Sequence, residues 1–174
     1  MNATVTIALQ ILVVATLTPE STTGMLQRYE RSGPEAAWRS VGVPIRVSVG
    51  AGGTTKDKRE GDQKTPIGQF QLGTALGSAS SPGGRWPYHR VQKGDVCVDD
   101  PGSRSYGQLL GVDTALPTRP DWKSAEDLRL YRRAILVEYN LNPASPGRGS
   151  CIFLHTWARP DEPTLGCTAM GSGD

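Results

Sequence analysis

Two residues near the end of this chain are of types that transfer acyl groups when a fold brings them together: His155 and Cys167. They stand in Gly149-Ser150-Cys151-Ile152-Phe153-Leu154-His155-Thr156-Trp157 and, after a polar loop, in Pro163-Thr164-Leu165-Gly166-Cys167-Thr168. A thiol is a weak nucleophile and a thiolate a strong one. A neighbouring imidazole takes the thiol proton, and the imidazolium so formed holds the thiolate and lowers the thiol pKa into the working range. Gly166 leaves room for a substrate, and the backbone N–H groups around it are placed to hold a developing oxyanion. Residue type and spacing alone do not make a dyad, because a lone Cys and a lone His more often pack than react.

Metal binding is the other chemistry to weigh. Cys151 and His155 are four apart, which on a helix would let both reach one ion. The residues between them are strand formers, and on a strand that spacing separates them by roughly 13 Å. Zinc is rejected on that ground, and no metal or organic cofactor is expected. Asp99-Asp100 and Asp161-Glu162 lack companion ligands and read as turn or surface acids. His89, beside Trp86-Pro87-Tyr88, reads as a surface or core-edge residue. The run Lys56-Asp57-Lys58-Arg59-Glu60 alternates in sign and reads as a solvated loop.

The elements that must deliver the pair are strands. Ser150 to His155 forms the last clear one, with Cys151, Phe153 and His155 on one face and Ile152 and Leu154 on the other. The loop of about a dozen residues that follows is long enough to bring Cys167 back beside His155. Ile45, Val47 and Val49 alternate with Arg46 and Ser48, Phe70 and Leu72 alternate within Gly68–Gly73, and Ala134–Tyr139 is β-branched and apolar. Val5–Ala15 admits two readings, the apolar region of a signal peptide or a buried first strand over Gln10–Ala15. The strand is preferred, because no Lys or Arg precedes the stretch and Gln10 interrupts it. It is too short to span a membrane. Ser124 followed by Asp127 resembles a capping box, with Leu128 and Tyr131 as an apolar pair on one helical face.

Gly (21 residues) and Pro (13) punctuate short elements, which favours a mainly β fold, a closed or sandwich-like domain with one or two short helices. Residues 1–174 read as a single domain. With a formal charge of +2 and no basic stripe interleaved with aromatics, nucleic acid is not an expected partner. Three cysteines leave one unpaired whatever the other two do. Cys151 and Cys97 read as packing thiols, a bridge between them being the less favoured alternative, confined to an oxidising compartment.

Four ordered segments resemble the YkuD-type L,D-transpeptidase family. Gly61-Asp62-Gln63-Lys64-Thr65-Pro66-Ile67-Gly68-Gln69-Phe70 is similar to its G-D-x-x-T-P-x-G-x-F signature, and reads as architecture rather than chemistry. Val98-Asp99-Asp100-Pro101 with Tyr106, Trp122-Lys123-Ser124-Ala125-Glu126, and the run from Gly149 to His155 are similar to segments of a subgroup. The resemblance implies His155 as base, Thr156 as the residue whose carbonyl orients it, and Cys167 as nucleophile. It places Thr164 and Gly166 at the oxyanion and substrate, with Trp157 on the cleft wall or in packing. Leu165 stands where many members have a second His, and no Arg follows Cys167, as in a divergent branch. Relatives continue past the Cys block with a further helix and strand, so a truncated C-terminus is expected.

By resemblance the substrate is a peptidoglycan stem peptide, cross-linked by thioester transfer to an amine in an extracytoplasmic compartment. An L,D-carboxypeptidase, or a non-catalytic wall-binding relative, is the alternative.

Overall fold

The computed structural model describes residues 9–81, 83–84 and 86–173. Its first strands are β1 (Gln10–Thr16), β2 (Thr23–Glu30), β3 (Arg39–Ser48), β4 (Thr54–Thr55), β5 (Thr65–Pro66) and β6 (Leu72–Gly77). They are followed by β7 (Tyr88–Arg90), β8 (Val96–Cys97), β9 (Leu109–Leu110) and β10 (Glu126–Asp127). After one 3₁₀ turn, Leu128–Leu130, come β11 (Ala134–Val137), β12 (Phe153–Thr156) and β13 (Thr168–Met170).

Eight strands make one open sheet in the order β1-β2-β3-β13-β12-β11-β6-β7. A smaller sheet, β10-β8-β9, and the parallel pair β4-β5 complete the framework. The core joins the two larger sheets. Leu76 of β6, Leu136 of β11 and Phe153 of β12 come from the large sheet, and Cys97, Leu109 and Leu128 from the small sheet and the turn beside it. The expectation of a mainly β, sandwich-like domain therefore holds, with open sheets instead of a closed barrel. Among the described residues a single short turn stands where one or two helices were expected.

Period-2 patterning explains the central strands. In β11, Ala134 and Leu136 are buried while Ile135 and Val137 are partly covered, so one face meets the core. In β3 the end of the strand is buried on both faces, Ser48 included. The first strand forms as expected but is not buried. β1 pairs with β2 alone, at the sheet edge, and Leu12 and Val13 remain 40% and 41% exposed. An unbroken apolar run carries no alternation from which covering could be read. The start of that run, residues 5–8, lies outside the described residues.

Three further expectations give way. Residues 68–71 are loop, and the strand begins at Leu72. The cap beyond Ser124 is Asp127, whose side chain accepts from the Arg129 N–H, and the turn it starts is only Leu128–Leu130. Glu126 and Asp127 are instead drawn into strand pairing with β8. Cys151 does not share a strand face with His155: it lies before β12 with φ +54°, and its sulfur is bonded to Cys97. Two buried thiols far apart in sequence carry no sign of bridging until the fold sets their Cα atoms 5.9 Å apart.

Candidate active site

Strands β12 and β13 run parallel, with Leu154 opposite Thr168 and His155 opposite Ala169. One step back along both strands sets Phe153 beside Cys167, and the Phe153 N–H donates to Cys167 Sγ at 3.3 Å. Phe153 and His155 are two apart on one strand and so share a face. Tyr131 lies against both: its ring centroid is 4.9 Å from that of Phe153 and 5.0 Å from that of His155, edge-on to the imidazole.

The loop bearing Cys167 is braced by threonines. Thr164 Oγ1 accepts the Gly166 N–H at 3.1 Å and donates to the Cys167 carbonyl at 2.6 Å. Thr65 Oγ1 donates to the same carbonyl at 3.1 Å and accepts the Gly50 N–H at 2.9 Å. The expected role of Thr164 and Gly166 as oxyanion groups is thus altered in this arrangement, because the Gly166 N–H is already engaged. The backbone gives a further reason for glycine at 166. Its φ is +142°, and a Cβ there would stand 3.1 Å from the Lys64 carbonyl oxygen and 3.5 Å from Lys58 Cε. The segment from Gly61 to Phe70 serves architecture, as expected, by building the floor under Cys167 through Thr65.

His155 Nδ1 lies 3.1 Å from the Thr156 carbonyl oxygen. A carbonyl only accepts, so Nδ1 carries the proton and the neutral ring leaves Nε2 free to take one. Burial pushes the His155 pKa below its ordinary 6.5, partly offset by that hydrogen bond. Cys167 is buried, and burial pushes its thiol up to about 12; the charge of Glu126 adds to the rise, while the Phe153 N–H, Tyr131 hydroxyl and Lys58 oppose it. Both shifts favour the neutral forms, against the expected imidazolium-held thiolate. The sulfur's partners are the Phe153 N–H, the Cys151 carbonyl at 3.5 Å and the Tyr131 hydroxyl at 3.9 Å.

Both residues open on one cleft of about 1040 Å³, lined also by Thr156, Trp157, Thr164, Leu165 and Gly166. The six candidate site residues, Cys167, His155, Thr156, Trp157, Thr164 and Gly166, therefore come together, with Leu165 beside them. Cys151 enters only through its carbonyl. His89 sits away from this cleft, its Nε2 2.7 Å from Asp95 Oδ2.

Sequence reading missed the charges of the cleft. Lys58, read as solvated, is 3% exposed, and its ammonium donates to Asp62 at 2.5 Å and to the Arg59 carbonyl at 3.0 Å. Glu60, from the same run, accepts from Tyr106 (2.5 Å) and Ser150 (2.7 Å). Asp99 and Glu126 also line the cleft. Asp99 Oδ1 is buried with no partner among the described residues, so the surface reading fails for it, while Asp100 keeps its turn role by accepting the Gly102 N–H. Asp99, Tyr106 and Glu126 stand within the segments that carry the family resemblance, which was the available signal.

The L,D-transpeptidase catalytic domain (YkuD) profile matches residues 17–174, and the chain belongs to that family. It has no match among curated proteins or solved structures. No helix among the described residues is long and apolar enough to cross a membrane.

Proposed function

We propose that this domain is a peptidoglycan L,D-transpeptidase with Cys167 as nucleophile and His155 as base. The observation that carries this reading is the shared cleft, in which a neutral His155 with a bare Nε2 lies with the Cys167 thiol. The thiol proton passes to Nε2 as Sγ bonds to the carbonyl joining a diamino acid to D-alanine. The tetrahedral adduct then collapses, the C–N bond breaks, and the imidazolium returns its proton to the departing amine. An amine of a second stem peptide attacks the thioester, loses its proton to His155 and releases the sulfur. Because both shifts favour the neutral groups, the proton moves during attack, as general-base catalysis, instead of from a preformed ion pair.

Thr156 holds the imidazole tautomer through its carbonyl, Thr164 and Gly166 fix the backbone of the nucleophile, and Trp157 walls the cleft. A buried disulfide between Cys97 and Cys151 supports an extracytoplasmic place of action, where such bonds persist.

The test combines a defined tetrapeptide stem, with products resolved by mass, and exposure to a carbapenem. Cross-linked dimer and an adduct on Cys167 are expected, both lost in Cys167→Ala. His155→Ala should slow acylation by about 10²–10⁴-fold. Trimmed product without dimer would assign an L,D-carboxypeptidase instead. Labelling that persists without Cys167 would overturn the nucleophile.

A further inference from the structure

Tyr131 is buried, and its hydroxyl stands between two groups: Glu126 Oε1 at 2.6 Å and Cys167 Sγ at 3.9 Å. It is the one side-chain hydroxyl in contact with the sulfur among the described residues. The His155 ring lies against the same phenol, yet it makes no hydrogen bond to Sγ. The group that touches the reacting atom is therefore a tyrosine, and its other partner is a carboxyl that lines the same cleft. No cation pairs with Glu126 among the described residues.

We infer that Tyr131 is a further catalytic residue, whose O–H donates to the Cys167 sulfur as charge develops there, and that Glu126 is the positioning residue that decides which way this O–H points. The inference rests on the reading of Cys167 as nucleophile. A phenol has one proton to give. While Glu126 is ionised, that proton lies toward the carboxylate, and the oxygen lone pairs face the thiol. When Glu126 takes a proton from solvent through the cleft, its own O–H donates to the phenol oxygen, and the phenolic proton is released toward the sulfur. A charge-assisted hydrogen bond then replaces a repulsive contact with the thiolate. The thiol proton itself still leaves for His155 Nε2, and the phenol stays protonated throughout. Burial, then the charges of Cys167 and Glu126, push its pKa far above the ordinary value of 10.0.

The groups around this pair act in known directions. Burial raises the Glu126 pKa above 4.5; the Tyr131 hydrogen bond lowers it, and the charges of Asp99 and Glu60 raise it. Cys167 feels Glu126 and Tyr131, with Lys58 as the nearby cation. Asp99 and Glu60 thus act in the direction of the protonated Glu126, the state that frees the phenol.

The experiment measures the alkylation rate of Cys167 by iodoacetamide at about pH 8, with the site assigned by peptide mass. It compares wild type, Glu126→Gln, Tyr131→Phe and the double variant, with folding followed by circular dichroism. Cys97 and Cys151 are bridged, which leaves Cys167 as the free thiol. Gln keeps the shape of Glu126 and donates to the phenol oxygen, and Phe keeps the ring that packs on Phe153 and His155. Glu126→Gln is expected to alkylate about tenfold faster than wild type, the size of one pKa unit. The double variant is expected to lose most of that gain. If Glu126→Gln and the double variant react at one rate, removal of charge explains everything and the Tyr131 role is overturned; an unchanged Glu126→Gln rate overturns it too. A protein that forms the carbapenem adduct but shows no such difference loses Tyr131 and keeps Cys167. The converse result, the difference without the adduct, keeps the hydrogen bond and sinks the transpeptidase reading.

Discussion

Lys58 and Glu126 both line the cleft around Cys167, and they are held in different ways. The Lys58 ammonium is buried against Asp62, whose carboxylate also accepts the N–H groups of Arg59 and Lys64, each at 2.8 Å. Every charge in that group has a charged or backbone partner. Around Glu126 the partners are hydroxyls: Tyr131 for Glu126, Tyr106 and Ser150 for Glu60, and none for Asp99 Oδ1 among the described residues. Paired charge fixes geometry, since breaking it leaves an uncompensated ion. Carboxyl groups without a cation cost stability when buried, and such groups gather where chemistry needs shifted pKa values.

The two groups also answer pH with opposite sign. Burial raises the Asp62 pKa, but the Lys58 hydrogen bond and the Arg59 and Lys64 N–H groups outweigh it, and the net shift is below 3.8. That stability is present above pH 3.8 and is lost as pH falls through the folded value. Glu126 is shifted upward, so the folded state binds its proton more tightly than the unfolded chain does. Its contribution is favourable below pH 4.5 and is lost as pH rises through the folded value.

The largest break in this comparison should come from Asp62→Asn. It leaves the Lys58 ammonium buried without its carboxylate, at an expected cost of about 3–5 kcal/mol in urea denaturation. The variant should also lose wild type's steep acid limb, and a stability close to wild type would mean that the pair is not holding the loop. Next comes the disulfide. Replacing both Cys97 and Cys151 by Ala should cost about 2–4 kcal/mol, with Cys167 still labelled by a carbapenem. Transfer of the adduct elsewhere would show that the bridge defines the site. The smallest effect, and opposite in sign, belongs to Glu126→Gln. Near neutral pH it should stabilise the fold by less than about 2 kcal/mol, and the gain should vanish as pH is lowered past 4.5. A destabilised variant would show that the carboxylate is structurally required.

What the sequence disclosed follows the same division. The alternating end of β3, the apolar run of β11 and, through family resemblance, the segments bearing Asp62, Thr65, His155 and Cys167 were legible, because pattern and motif survive without coordinates. The burial of Lys58 was not. Its neighbours Lys56, Asp57 and Arg59 are exposed, and alternating charge looks alike whether one member turns inward or none does. The bridge between Cys97 and Cys151 depends on bringing together residues separated by 54 positions. Tyr131 looked like half of an apolar helical pair because its ring does pack in the core. Only its hydroxyl, at the far end of the ring, belongs to the site.

The parallel pairing of β12 and β13 has a consequence for how such a domain can change. Parallel neighbours require a crossover, and here the crossover is residues 157–167, the stretch that also supplies Trp157, Pro163 and Leu165 to the cleft wall. The strand register is fixed at its two ends, where His155 and Cys167 are anchored. Residues 158–163, ahead of the Thr164–Gly166 brace, can be inserted, deleted or exchanged at small entropic cost, because loop closure depends only weakly on length. There and at Leu165, whose side chain is 78% exposed, variation reshapes the entrance without disturbing the pair beneath it. Cleft shape and the placement of the Cys167–His155 pair are separable traits in this topology, and a library restricted to residues 158–163 varies the first while leaving the second in place.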